Sequence, residues 1–272
     1  MLGIGTIERI AVRVLPAPLV KQLQEIKHRL PLRLQQAPPV VQMFINDGST
    51  RSLLGLHNIF SHALPEVASD VRAEITLYDP EGRRLFRHIE QLRHFGARAV
   101  DLSKLLEDRK RSSVPYGVVT VQLTPKYPRR ASYRALGQFA AHFFVFFRDA
   151  RGSVGQTHPL STAGRQNIGG SFVSSQVIST AGIDEVVLWQ YNPGDRACTL
   201  EHRLLGLGDR RVVARREQRL APLGSCRTVF RLAELKELPA QLLVAVEPLP
   251  GANAKPMLRR VFRSGLHSMS HS

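Results

Sequence analysis

Two stretches of this chain are near copies of each other. Arg83-Arg84-Leu85-Phe86-Arg87-His88-Ile89-Glu90-Gln91 and Arg210-Arg211-Val212-Val213-Ala214-Arg215-Arg216-Glu217-Gln218 align without a gap at an offset of 127. Each follows a turn-forming cluster, Asp79-Pro80-Glu81-Gly82 in one case and Gly206-Leu207-Gly208-Asp209 in the other. The correspondence continues in order on both sides. Leu56-His57-Asn58 answers to Gln190-Tyr191-Asn192, and Leu92 with Gly96 answers to Leu220 with Gly224. Val100 to Leu105 answers to Phe230 to Leu235, and Pro115 to Val121 answers to Pro239 to Ala245. Phe147-Arg148 and the strand ending in His158 answer to Phe262-Arg263 and the strand ending in His271. The offset drifts only from 134 to 113 along the chain, which makes this an internal duplication.

Within each repeat, short apolar-alternating runs are separated by Gly, Pro and Asp clusters at intervals of roughly 8–12 residues. That pattern predicts strands and hairpins, not helices. The first repeat is expected to hold strands near 52–59, 71–78, 83–92, 97–102, 116–124, 139–148 and 153–158. The second is expected to hold them near 185–192, 197–205, 210–220, 225–232, 240–247, 256–263 and 266–271, with 172–180 as a further strand or lead-in. A helical turn follows a strand at 102–107 and at 232–237. The fold class is therefore all-β: two tandem antiparallel β-sandwiches, Ig-like or jelly-roll-like, with a short N-terminal helix.

The expected divisions are an N-terminal extension at 1–39, a first sandwich at 40–163, a linker at 164–171 and a second sandwich at 172–272. In the extension, Leu19, Leu23, Ile26 and Leu30 recur at helical spacing between Pro18 and Pro31. This amphipathic helix is expected to pack on the first sandwich, a basic membrane-surface helix being the alternative. The chain has 272 residues and 43% hydrophobic content, enough for two cores. Its longest apolar run, Phe139 to Phe147, is too short to cross a bilayer as a helix and reads as a buried strand. No signal peptide is evident at the N-terminus, so Cys198 and Cys226 are expected as free thiols in a reducing cytoplasm.

The formal charge is +16, carried by 31 Arg and 7 Lys spread along the chain. Two places could turn this into a polyanion-binding surface. One is the 126–137 loop, with Tyr127, Arg129, Arg130 and Tyr133, which pairs bases of charge with stacking rings. The other is the strand carrying Arg211, Arg215 and Arg219. His158 and His271, each closing the last strand of its repeat, are the candidates for a metal. The chain lacks a phosphate-binding glycine loop, a nucleophile elbow, H-E-x-x-H and paired carboxylates, so no catalytic residues or cofactor are expected.

The segments Leu92 to Gly96, Val100 to Leu105, Pro115 to Val121 and Phe146-Phe147-Arg148 together resemble small bacterial β-sandwich proteins of the sensory rhodopsin transducer type. Relatives of that type are single-domain and oligomeric, whereas this chain carries two repeats and an extension. The resemblance implies a non-enzymatic module that binds a partner or small ligand and relays a signal. The expected function is thus a cytoplasmic binding, scaffold or signalling-adaptor protein, with a protein partner. A membrane-peripheral location, an anionic membrane or polyanion ligand, homo-oligomerisation and a metal-dependent enzyme remain as alternatives.

Overall fold

Every described strand is antiparallel to its neighbours, and the same two four-strand orders appear in each repeat. The computed structural model describes residues 37–63, 65, 70–126, 141–149, 152, 154–159, 161–164, 173–251 and 254–271, together with 16, 18, 19 and 22. The first repeat contains β1 (Val40–Ile45), β2 (Thr50–His57), a short helix α1 (Ile59–Ala63), β3 (Asp70–Tyr78), β4 (Arg84–Leu92) and β5 (Ala97–Asp101). It continues with α2 (Leu102–Asp108), β6 (Tyr116–Lys126), β7 (Phe143–Asp149), β8 (Val154–Thr157) and β9 (Ser161–Thr162). The second contains β10 (Ser174–Ser179), β11 (Ile183–Tyr191), β12 (Cys198–Gly206), β13 (Val212–Leu220) and β14 (Ser225–Arg231). A 3-10 turn (Leu232–Glu234), β15 (Gln241–Glu247), β16 (Met257–Phe262) and β17 (His267–His271) complete it.

The first repeat forms the sheets β4-β3-β6-β1-β9 and β5-β2-β7-β8, and the second forms β13-β12-β15-β10 and β14-β11-β16-β17. Apart from β9, which has no described counterpart in the second repeat, the order is the same strand for strand, so the chain is two tandem β-sandwiches. The helical turns predicted after β5 and β14 are present as α2 and the 3-10 turn. Asp101 caps α2, accepting a hydrogen bond from the Lys104 N–H at 3.0 Å. The amphipathic helix predicted over 19–30 lies almost wholly outside the described residues.

Two strands escape the sequence pattern, the two-residue β9 and the six-residue β1. All six residues of β1 are buried, so its sequence, VVQMFI, shows no clean alternation. The cause is the way the repeats pack. On β1, Val40, Gln42 and Phe44 are paired with Val121, Val119 and Gly117 and face the interior of the first sandwich. Val41, Met43 and Ile45 therefore point the opposite way. They belong to one continuous core cluster with Val187, Trp189, Tyr191 and Met257 of the second repeat. The outer face of β4-β3-β6-β1 thus packs on the outer face of β14-β11-β16-β17, giving four sheet layers. Polar contacts edge this junction: the Ser225 N–H donates to Pro80 O at 2.9 Å and the Gly164 N–H to Pro193 O at 2.9 Å. Gly82, with φ of +79°, sits so close to the second repeat that a Cβ would lie 2.2 Å from Pro222 O.

Register corrects the sequence alignment at its strongest point. Leu77 pairs with Phe86 and Leu204 with Ala214, so β4 and β13 correspond at an offset of 128, not 127. The extra residue lies in the hairpin, which closes from Asp79 to Arg83 in one repeat and from Gly206 to Arg211 in the other. Glu90 is therefore equivalent to Gln218, and the identical Glu-Gln pairs read from sequence face opposite sides of their sheets.

Candidate binding surfaces

The conserved framework of the two sandwiches ends at a buried asparagine in each. Asn58 closes β2 and Asn192 follows β11, and both are 1% exposed. The Asn58 side chain donates to Arg93 O at 3.0 Å, and the Asn192 side chain donates to Ala221 O at 3.1 Å and Arg196 O at 2.7 Å. These residues hold the L-x-x-x-G turns in place and are scaffold.

What differs between repeats is the use made of equivalent faces. In the second repeat the outer face of β11 carries Val187, Trp189 and Tyr191, all buried against the first repeat. Beside them Arg259, 6% exposed, lies with its guanidinium carbon 4.7 Å from the Trp189 ring centre. Its Nη1 reaches Asp47 Oδ2 at 3.1 Å, Ser49 Oγ at 2.8 Å and Thr50 Oγ1 at 3.1 Å, all in the β1–β2 hairpin of the first repeat. Burial lowers the Arg259 pKa, opposed by the Asp47 carboxylate, and an arginine stays charged under such a shift.

The equivalent face of the first repeat is β5-β2-β7-β8. From the registers, Leu53, Gly55 and His57 answer to Val187, Trp189 and Tyr191, and Phe144 and Phe146 answer to Met257 and Arg259. Here the sequence expectation of a uniformly buried phenylalanine run is corrected. Phe143 and Phe147 are in the core at 0% and 2% exposure, while Phe144 and Phe146 alternate to the outside and are only partly covered. The Phe146 ring lies over Gly55, where a Cβ would meet Phe146 Cε2 at 2.8 Å. His57 sits 5.1 Å from His142 and 6.3 Å from His62 by ring centres, and Phe144 is 5.4 Å from His142. Phe95, 55% exposed, packs edge-on to His62 at 5.7 Å. The pKa of His57 is lowered by burial and then by the neighbouring His142 and His62. The surface is an aromatic and imidazole strip at the end of a sheet.

The residues singled out from sequence do not converge. Tyr127, Arg129, Arg130 and Tyr133 lie outside the described residues. Arg211 and Arg215 stand on or beside β13 and are exposed, but acids accompany them. Arg211 Nη1 is 2.6 Å from Glu237 Oε2, and Arg215 Nη1 is 3.8 Å from Glu201 Oε1. Arg203 on the same sheet face pairs with Glu201 and Glu247. With Arg219 exposed at the end of this row, the face is a mixed-sign ionic lattice more than a continuous cationic stripe. His158 follows β8 and His271 ends β17, at corresponding places in different repeats. Among the described residues no group of three His, Cys, Asp or Glu side chains could hold a metal ion. Cys198 and Cys226 are both free.

A second feature lies at the junction. Thr50, Phe147, Asp149 and Gly155 of the first repeat and Arg259, His267, Ser268 and Met269 of the second line a small half-open cleft of about 180 Å³. Sequence reasoning had no access to it, because its walls come from different repeats.

No family model matches the chain, and no curated protein matches it. Among solved structures, one similar chain is the M60 catalytic domain with the CBM51-1 and CBM51-2 domains from Clostridium perfringens ZmpB. It is 10% identical with a TM-score of 0.20, the match covering 79% of this chain and 32% of that one. Another is the partial N-terminal region of enterococcal surface protein, 8% identical with a TM-score of 0.21, covering 87% and 94%. This chain spans about a third of the first of these, and at such TM-scores neither informs the site. No helix among the described residues is long and apolar enough to cross a membrane.

Proposed function

We propose that this chain is a non-enzymatic binding protein, acting as a cytoplasmic scaffold or signalling adaptor, whose first repeat presents the outer face of β5-β2-β7-β8 to a protein partner. One observation carries the proposal. The equivalent face of the second repeat is already a protein-binding surface, since Val187, Trp189 and Tyr191 are buried there against a β-sheet. In the first repeat the same position holds Leu53, His57, Phe144 and Phe146, partly exposed. Aromatic side chains bury large areas at little rotamer cost, which suits them to the centre of an interface. The resemblance to the sensory rhodopsin transducer type supports the same reading, as a module that works by contact. Acids beside Arg211 and Arg215 make the polyanion alternative the weaker one.

Affinity capture from the native cell with the unaltered chain and with a Phe144→Asp/Phe146→Asp variant tests the proposal. Both positions are on the outer face, so the variant keeps its core. A partner retained by the first and lost from the second is the expected result. The same partner held equally by the unaltered chain and the variant would overturn the assignment of this face.

A further inference from the structure

We infer that the cleft between the two repeats is a binding site for a small carboxylate that also carries a hydrogen-bond donor. The argument begins with Arg259. A guanidinium has five N–H donors. Nη1 is fully engaged by Asp47, Ser49 and Thr50, and the ring of Trp189 covers one face. Nε is buried and has no partner. On the neighbouring strand His267 pairs in register with Val261, which by alternation puts it on the same side of the sheet as Arg259. Its Nδ1 is likewise buried and has no partner. Both residues line the same cleft.

Buried polar atoms are nearly always satisfied, and two orphans on one cleft wall mark a place where an acceptor belongs. A carboxylate offers two oxygens, one to accept from Arg259 Nε–H and one to accept from His267 in the tautomer that carries its hydrogen on Nδ1. Asp149 also lines the cleft. A bare anion would be repelled by it, whereas a hydroxyl or amino group on the ligand would donate to it. At about 180 Å³ the cleft is smaller than the pockets that take drug-sized ligands, and it suits a molecule of a few heavy atoms. This inference is independent of the aromatic face, which lies on another sheet surface.

The test is an Arg Nε–H correlation spectrum of the full chain, nitrogen-labelled, titrated with glycolate, glycine, acetate and inorganic phosphate in turn. The Arg259 signal is expected to move saturably with glycolate or glycine, with acetate at least tenfold weaker. His267→Ala should weaken the effective probe tenfold or more by calorimetric titration. Arg259→Lys, which keeps a cation for Asp47 but has no Nε, should do the same. Arg215→Ala, on the exposed face of β13 away from the cleft, should leave binding unchanged. An Arg259 signal unmoved by either probe, equal response to phosphate, or unchanged affinity in His267→Ala would overturn the inference. His267→Ala keeps the test intact if Arg259→Lys does not fold.

Discussion

Asn58 and Asn192 do the same work in two sandwiches: each donates its backbone N–H, at 2.9 Å, to the glycine that ends an L-x-x-x-G turn, Gly96 for one and Gly224 for the other. Each also turns its side-chain amide onto a carbonyl of that turn. Replacing either by Ala removes the side-chain donor and strands buried carbonyls, at a cost of about 2 kcal/mol. Asn192→Ala is expected to cost more than Asn58→Ala, because Asn192 also serves Arg196 O and the Gly194 N–H. Urea midpoints of the two variants check the order.

Asp47→Ala should be the most damaging single change at the junction. Asp47 Oδ1 accepts from Ser49 and Thr50 while Oδ2 meets Arg259, so its loss opens a turn and leaves a buried cation unpaired. Breaking a buried pair from one side costs about 3–5 kcal/mol. Because one core cluster spans both repeats, the parent chain should melt in a single calorimetric transition. The variant should lower that transition or split it.

His202 should make the second sandwich acid-sensitive. It is fully buried, Nδ1 lies 2.7 Å from Thr228 Oγ1, and burial pushes its pKa down to about 4. The unfolded chain protonates it near 6.5, so the stability it permits is fully present above pH 6.5. That stability is lost as pH falls toward 4, by about 3 kcal/mol in all. By register the first repeat has Ile75 in this place. His202→Ile should therefore flatten the decline in melting temperature between pH 6.5 and 4, while Gln218 still satisfies Thr228.

The two thiols should be inert in the folded protein. Burial pushes Cys198 up to about 11 and Cys226 up to about 12, leaving almost no thiolate at neutral pH. Labelling with an aromatic disulfide reagent should be slow in buffer and fast in urea. Rapid labelling of the native chain would refute this.

Much of the strand framework was legible because strands such as β2, β7 and β12 are buried on one face only. Along β12, Leu200, His202 and Leu204 alternate with partly exposed neighbours. The reading failed where tertiary contact changed what a residue faces. β1 lost its alternation to burial on both sides, and Phe144 and Phe146 sit in an apolar run yet turn outward. The one-residue slip between β4 and β13 could not be seen either, since hairpin length sets register and identical letters on opposite faces look the same in sequence. Of the candidate residues, Arg215 stands on exposed β13 and Arg211 in the hairpin just before it, and their acidic companions, Glu201 and Glu237, come from elsewhere in the second repeat.

By itself, the sequence determined that there are two repeats, where their hairpins fall, and that asparagine and glycine mark the same corner in each. These are local matters of period, turn chemistry and backbone freedom. Only the tertiary structure decided that unlike faces of the two repeats meet. That choice buries Trp189 and Arg259, leaves Phe144 and Phe146 at the surface, and opens a cleft at the seam. The reason is physical: which face is covered depends on complementarity between side chains far apart in the chain, and periodicity within one strand carries no record of it.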